Sequence, residues 1–294
     1  MKTATKILIA FALTVAATLS VAPAWHGPGH DKADRLAAAG LGKDMPAFFA
    51  AGVDTIAHCA ADPDVFRLKV HPQLRDAEAP EHYFDLEPLA GSQIPPTRSA
   101  FMALCAKKHL AARQVGTAAY AVVEWTQRLT IAFAEHRKWP GNKHIQAKCL
   151  VYAGLLSHYA QDVCQPLHTT IHFDGRANKD GSSPRTGIHA RVDALLQKAR
   201  ADTKPADLKP VVYEDLFAAV QAEIGRSHKL VDRVYELDKA IPAEDKPIPP
   251  GSAVARFTEE RLRACAHFTA SLFLTAWKDS AKVKLPRWLN RKAR

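Results

Sequence analysis

Residues 157–174, SHYAQDVCQPLHTTIHFD, constrain the fold of this chain more than any other stretch. The run leading into them, from His144 to Tyr159, is rich in Ala, Leu and other helix formers, which predicts a helix. On that helix His158 and Asp162 stand four residues apart, on one face and close enough to touch a common ion. Pro166 lacks an N–H and clashes with a preceding turn, so the helix ends before it and His168 follows where the chain turns back. Two imidazoles and a carboxylate gathered in this way suit zinc. Taken alone they also describe a solvated His–Asp pair, worth about a few tenths of a kcal/mol; the rest of the chain decides between the two.

The chain starts with a basic MKTATK, an apolar ILIAFALTVAATLSV and then Ala22-Pro23-Ala24. This is the pattern of a secretory signal peptide, residues 1–24, with cleavage expected between Ala24 and Trp25 and a secreted or periplasmic product. The apolar run is short for a membrane anchor, and nothing later is long enough to cross a bilayer. Of the 40 Lys+Arg, cleavage removes Lys2 and Lys6, leaving 38 against 30 Asp+Glu. That excess would attract polyanions such as nucleic acid or acidic lipid, though it also serves plain solubility. The mature chain is long enough for one large domain, residues 25–281, followed by a basic tail, 282–294, expected to be solvated. Export permits disulfides, but the five cysteines, Cys59, Cys105, Cys149, Cys164 and Cys265, leave one over and their pairing is open.

Helical periodicity covers most of the mature chain: from about Asp31, from Met45 to Ala60, near 98–114, 115–138 and 143–163, from about Ile188, then 211–238 and 254–280. The Gly- and Pro-containing residues 25–30, the stretch around EHYFDLEP, residues 169–187 and residues 241–251 read as loops. No strand alternation and no internal repeat is evident, so the expected fold is all-α, a single multi-helix domain with long functional loops. A second pair at four-residue spacing, His189 and Asp193, lies on the helix that resumes at Ile188.

In chain order the candidate ligands are Trp25, His30, Asp64, His82, His158, Asp162, His168, His189 and Asp193. This order resembles that of the zinc-dependent phospholipase C and P-one/S-one nuclease superfamily, as an ordered pattern over most of the mature chain and densely only in LLSHYAQDVCQPLH and GIHARVD. The resemblance implies a helical domain of that type holding three zinc ions, one of them bound by the free amino group and carbonyl of an N-terminal Trp. Carried over by position, Asp64, His82 and His158 would hold one zinc, Trp25 and His30 a second with Asp162 bridging, and His168, His189 and Asp193 a third. His26 rivals His30, and the Trp-x-x-x-x-His spacing of the nuclease branch favours His30. The implied chemistry is hydrolysis of phosphoric diesters by a zinc-bound hydroxide in line with the leaving oxygen. Asp64 would orient or deprotonate the water, and no serine or cysteine nucleophile is needed.

Three features lean toward a nuclease acting on single-stranded nucleic acid. Arg67 follows Asp64 where those nucleases place a phosphate-binding arginine. Tyr83 and Asp85 follow His82 where an aromatic and an aspartate stack on and hydrogen-bond a base. Gln165-Pro166-Leu167-His168 resembles the nuclease form of its motif. The departures are Gln161 where a glycine is usual, Cys164 where a histidine is usual, HFDGRANKDG in place of a Gly-Gly-Asn stretch, and no Trp before Asp64. A phospholipase C releasing phosphorylated head groups is the alternative, and it would need an exposed apolar rim, to which Phe48, Phe49 and Phe66 are candidates. A member that binds zinc without turning over a substrate is the third reading. A monomer with no obligate protein partner is expected.

Overall fold

The computed structural model describes residues 25–292. The expected leader, residues 1–24, and the last two tail residues lie outside them. The described chain is helical: α1 (Gly27–Gly40), α2 (Ala47–Ala51), α3 (Val53–Cys59), α4 (Asp62–Phe66), α5 (Pro72–Glu78), α6 (Arg98–Lys107), α7 (Ala112–Val115), α8 (Ala118–Lys138), α9 (Lys143–Asp162), α10 (Ile188–Asp193), α11 (Leu216–His228), α12 (Val231–Leu237) and α13 (Ala253–Asp279). Short 3-10 turns link several of them. Among the described residues the sole β feature is an isolated bridge between Phe173 and Gly175. No described helix is long and apolar enough to cross a membrane.

The core is one cluster built around α8, α9 and α13, with α1 and α3 packed against them. Asn142 starts α9 by accepting the amides of His144 and Ile145 at 2.9 and 3.3 Å, and Ser252 starts α13 by accepting that of Ala255 at 3.0 Å. Phe49, Phe133 and Phe273 meet ring to ring at 5.3–5.4 Å between α2, α8 and α13. The second half of α9 is enclosed on all sides. Every residue from 153 to 170 is buried, including Ser157, His158, Gln161, Asp162, Gln165 and His168. Polar side chains are buried at such density only when they pair with each other or with something they hold.

Several boundaries differ from the periodic pattern. α1 starts at Gly27, because Pro28 sits in the first turn, where its missing N–H is not needed. The Met45–Ala60 run breaks at Gly52, and the 98–114 run breaks after Lys107, where His109 takes a left-handed φ of 56°. α9 ends at Asp162, and Pro166 instead opens a 3-10 turn, Pro166–Thr169, that carries His168. Residues 211–215 are not helical, and α11 and α12 are separated at Lys229–Leu230. Within the tail Trp288 is exposed, but Arg291 folds back onto the α8–α9 corner. Its Nε lies 2.9 Å from the buried Glu135 carboxylate, and its carbonyl accepts Asn142 Nδ2 at 2.8 Å.

Two glycines allow close approaches that position the site. A Cβ at Gly116, whose φ is 87°, would meet the Tyr83 carbonyl oxygen at 2.0 Å. A Cβ at Gly154 in α9 would lie 2.5 Å from the Ile56 carbonyl oxygen and 2.6 Å from Cys59 Cβ, so α3 and α9 touch backbone to backbone there. Gly154→Ala is therefore expected to force α3 away and destabilise the fold by about 1–3 kcal/mol. Urea unfolding followed by circular dichroism should show a lower midpoint with an unchanged slope.

Candidate metal centre

Four local choices bring the chemistry to the C-terminal end of α9. His158 and Asp162 occupy its last turns. His30 stands in the first turns of α1, which packs beside α9. The 3-10 turns Ala79–His82 and Pro166–Thr169 lie side by side, stitched by Phe84 N to His168 O at 2.8 Å and Leu86 N to Thr169 O at 3.2 Å. α10 brings His189 and Asp193, and the Asp193 carbonyl accepts the amide of His26 at 3.2 Å.

Three groups of donors result: His30, His158 and Asp162; Asp64, His82 and His158; and His168, His189 and Asp193. Within each group the ligand atoms lie within 4.8 Å of one another. His158 Nε2 is 3.3 Å from Asp162 Oδ2, and His82 Nδ1 is 3.0 Å from that same oxygen. His30 Nε2 lies 3.7 Å from the other oxygen, Oδ1, so the Asp162 carboxylate faces two groups at once. In the third group His189 Nε2 is 3.2 Å from Asp193 Oδ2 and from His168 Nε2. Asp64 Oδ1 sits 3.9 Å from His82 Nδ1 and accepts Arg67 Nη1 at 2.9 Å.

The fit to a metal rests on what these atoms lack. His30 Nε2, Asp162 Oδ1 and Asp193 Oδ2 are buried without a hydrogen-bond partner, and all three point into the groups. Unpaired buried atoms of this kind cost about 1–3 kcal/mol each. Tetrahedral zinc with donors at about 2.0–2.1 Å separates those donors by about 3.3–3.4 Å, and the donor pairs here, at 3.0–3.9 Å, lie on either side of that spacing. The donors are all imidazole nitrogen or carboxylate oxygen, and no thiol takes part. The three buried His/Asp groups can thus hold metal ions.

The surrounding shell fixes each ring. His158 Nδ1 lies 2.7 Å from the Ala60 carbonyl, His168 Nδ1 2.7 Å from that of His82, and His189 Nδ1 3.1 Å from that of Phe173. A carbonyl oxygen only accepts, so Nδ1 carries a proton and Nε2 is the nitrogen turned to the centre. His30 Nδ1 donates in the same way to Gln161 Oε1 at 2.7 Å, and Gln161 Nε2 donates to Asp34 at 2.6 Å. His82 is reversed: Nδ1 faces the centre and Nε2 faces Glu78 at 3.5 Å, while Glu78 accepts the Tyr159 hydroxyl. Gln165 Nε2 donates to Asp193 Oδ1 at 2.8 Å and leaves Oδ2 for the centre.

Charge follows the same plan. Burial opposes ionisation of Asp162, but His158, His82 and His168 outweigh it and hold its carboxyl well below the usual range. Burial likewise opposes a charged Asp64, and His158, His82 and Arg67 reverse that. Burial, then His158, pulls His30 down to about 4, so it stays neutral and ready to ligate. Burial alone would lower His158, but Asp162, Asp64 and the Ala60 carbonyl raise it to about 9. Burial pushes Asp34 up to about 7 against its bonds from Ser157 and Gln161.

The expected residues stand as follows. His30, Asp64, His82, His158, Asp162, His168, His189 and Asp193 all lie in the three groups, whereas His26 is turned out toward Glu244 at 4.0 Å. Trp25 is fully buried beside them, and its indole Nε1 donates to the Gln161 carbonyl at 2.9 Å. Arg67 is held against Asp64. The half-buried Tyr83 gives its hydroxyl to the Arg113 carbonyl. Asp85 is buried on the same segment, and burial and then Glu87 drive its carboxyl well up. Phe49 is core and Phe48 packs on Phe49 and His136, so neither forms a rim. Sequence reasoning missed Asp34 and Glu78. Both stand four residues from a ligand histidine, the spacing already noticed at His158–Asp162 and His189–Asp193.

No model of a known protein family matches the chain, and a search of curated proteins finds no match. The roles of Asp34 and Glu78 are separable. Asp34→Asn keeps an acceptor for Gln161 and should retain metal, whereas Asp34→Ala frees Gln161 and with it His30. Metal content by elemental analysis should fall about 10-fold in affinity or more for Asp34→Ala, and for Glu78→Ala at the His82 group, but little for Asp34→Asn.

Proposed function

We propose that this chain is an exported, zinc-dependent hydrolase of phosphoric diesters, of the phospholipase C and P-one nuclease type, acting on single-stranded nucleic acid. The observation that carries the reading is the convergence of eight of the nine ordered candidates in three adjoining groups, with Asp162 facing two of them. The ninth, Trp25, lies buried against Gln161, next to Asp162. Removal of residues 1–24 would give it a free amino group, which the resemblance assigns to the zinc held by His30. Zinc, when bound, supplies Lewis acidity and lowers the pKa of water.

The chain's own residues account for the remaining requirements. Asp64 and Arg67 form an ion pair at the edge of the His82 group, where the carboxylate can hold a proton of the attacking water and the guanidinium can meet a phosphate. Tyr83 sits within electrostatic reach of both Arg67 and Asp85, which supports a base-binding role for the pair. With its pKa raised, Asp85 can donate as well as accept a hydrogen bond to a base edge.

One observation favours the phospholipase reading. Val65, Leu68, Val70 and Leu74 are all 44% exposed or more on the segment that follows Asp64. An apolar edge of that kind beside the centre suits a lipid surface.

The test uses protein of known zinc content, offered single-stranded DNA or RNA, and separately phosphatidylcholine vesicles, each with and without chelator. Chelator-sensitive cleavage of nucleic acid alone is expected. Release of phosphorylated head group alone would transfer the protein to the phospholipase reading, and three bound zinc ions with neither activity would leave a non-catalytic metal protein. Arg67→Ala is expected to keep its zinc and lose about 10²-fold in kcat/KM. Loss of zinc instead would assign Arg67 to holding Asp64.

A further inference from the structure

The five cysteines are all buried and none is bonded to another in the structure. Two of them nevertheless meet. Cys164 follows the C-terminus of α9 and Cys265 stands mid-way along α13, and their thiols are in side-chain contact. Each also reaches a carbonyl of the last α9 turn: Cys164 Sγ lies 3.3 Å from Ala160 O, and Cys265 Sγ lies 3.9 Å from Gln161 O. These are consecutive carbonyls, so α9 and α13 hold the two sulfurs over the same spot.

We propose that Cys164 and Cys265 are a disulfide site, closed when the chain folds in an oxidising compartment. One thiol loses its proton and attacks a disulfide oxidant, such as oxidised glutathione or a protein disulfide, releasing one thiol of that oxidant. The second cysteine then attacks the mixed disulfide and releases the other. One S–S bond forms, two protons leave the cysteines and the oxidant is reduced to two thiols. The presence of an oxidant in the cell rests on the export reading; the juxtaposition of the sulfurs does not. Both thiols are fully buried in the finished fold, where no oxidant can reach them, so the bond closes before α13 settles onto α9. It would lock α13 to the turn that carries Gln161 and Asp162, with Cys59, Cys105 and Cys149 left as thiols. That assignment resolves the odd count.

The full chain is produced with its own leader in an exporting host, alkylated in denaturant without reductant, digested and mapped by mass spectrometry. The expected product is a Cys164 peptide joined to a Cys265 peptide, with the other three cysteines alkylated. The same protein, reduced, denatured and refolded in a glutathione redox buffer, should regain that link, and adding reductant before unfolding should lower its Tm by about 5 °C or more. Linkage after refolding but not in the protein as recovered would remove the export reading and keep the disulfide site. Five alkylated thiols after refolding to the native circular dichroism spectrum, or a link through Cys59, Cys105 or Cys149, would overturn the proposal. If refolding yields no native protein, the map of the recovered chain decides alone.

Discussion

Asp162 is a carboxylate with no solvent exposure, at the C-terminal end of a helix, where the helix dipole also disfavours negative charge. Left alone it would be expensive to bury. The fold surrounds it with imidazoles from α1, α9 and two 3-10 turns, and His82 and His158 approach one oxygen while His30 approaches the other. The loops containing His82 and His168 are then held in place by main-chain bonds to each other. The need to neutralise and divide one buried carboxylate thus explains why elements so distant in sequence end at the same place. Cations held in the groups that its two oxygens face would complete that neutralisation more economically than protonated histidines, which repel one another.

The supporting shell is as specific as the donors. Ala60, His82 and Phe173 contribute only carbonyl oxygens, so their side chains are free to differ while the rings they fix are not. Gln161 links His30 to Asp34 and uses its own carbonyl to receive Trp25. A residue that stands out in sequence only as a departure from the pattern the chain resembles is, in space, the joint between the N-terminal segment and the centre.

Much of this was legible in the sequence, and the reasons for the rest are physical. The all-α class and the long helices α8, α9 and α13 follow from periodicity, and His158, Asp162, His189 and Asp193 from donor types at four-residue spacing, with His168 just past Pro166; His30, Asp64 and His82 were implied only by the resemblance. The short helices were blurred because hydrophobic periodicity runs on across breaks, as at Gly52 and at His109, where a left-handed φ ends a segment that still looks helical. Pro28 suggested a loop because proline is a breaker in helix interiors, but it is well suited to the first turn it occupies. Asp34 and Glu78 were invisible as participants because a carboxylate on an amphipathic helix is ordinarily solvated, and only burial against Gln161 or His82 reveals its task. The Cys164–Cys265 contact was out of reach because helix crossing, not local pattern, decides which thiols meet.

The three donor groups are not anchored equally. His158, Asp162 and His168 belong to the continuously buried stretch 153–170, whereas Asp64 is held by a five-residue helix that runs into residues 68–74, all of them exposed. Under thermal or acid stress the thin side must yield first, because local opening there disrupts few apolar contacts, while opening of α9 is equivalent to global unfolding. The centre should therefore come apart in sequence, shedding its Asp64 side while the α9 and α10 side persists. A partly emptied form that is still folded would be a normal member of its ensemble, and refilling it would require only the closing of one short, solvent-facing segment.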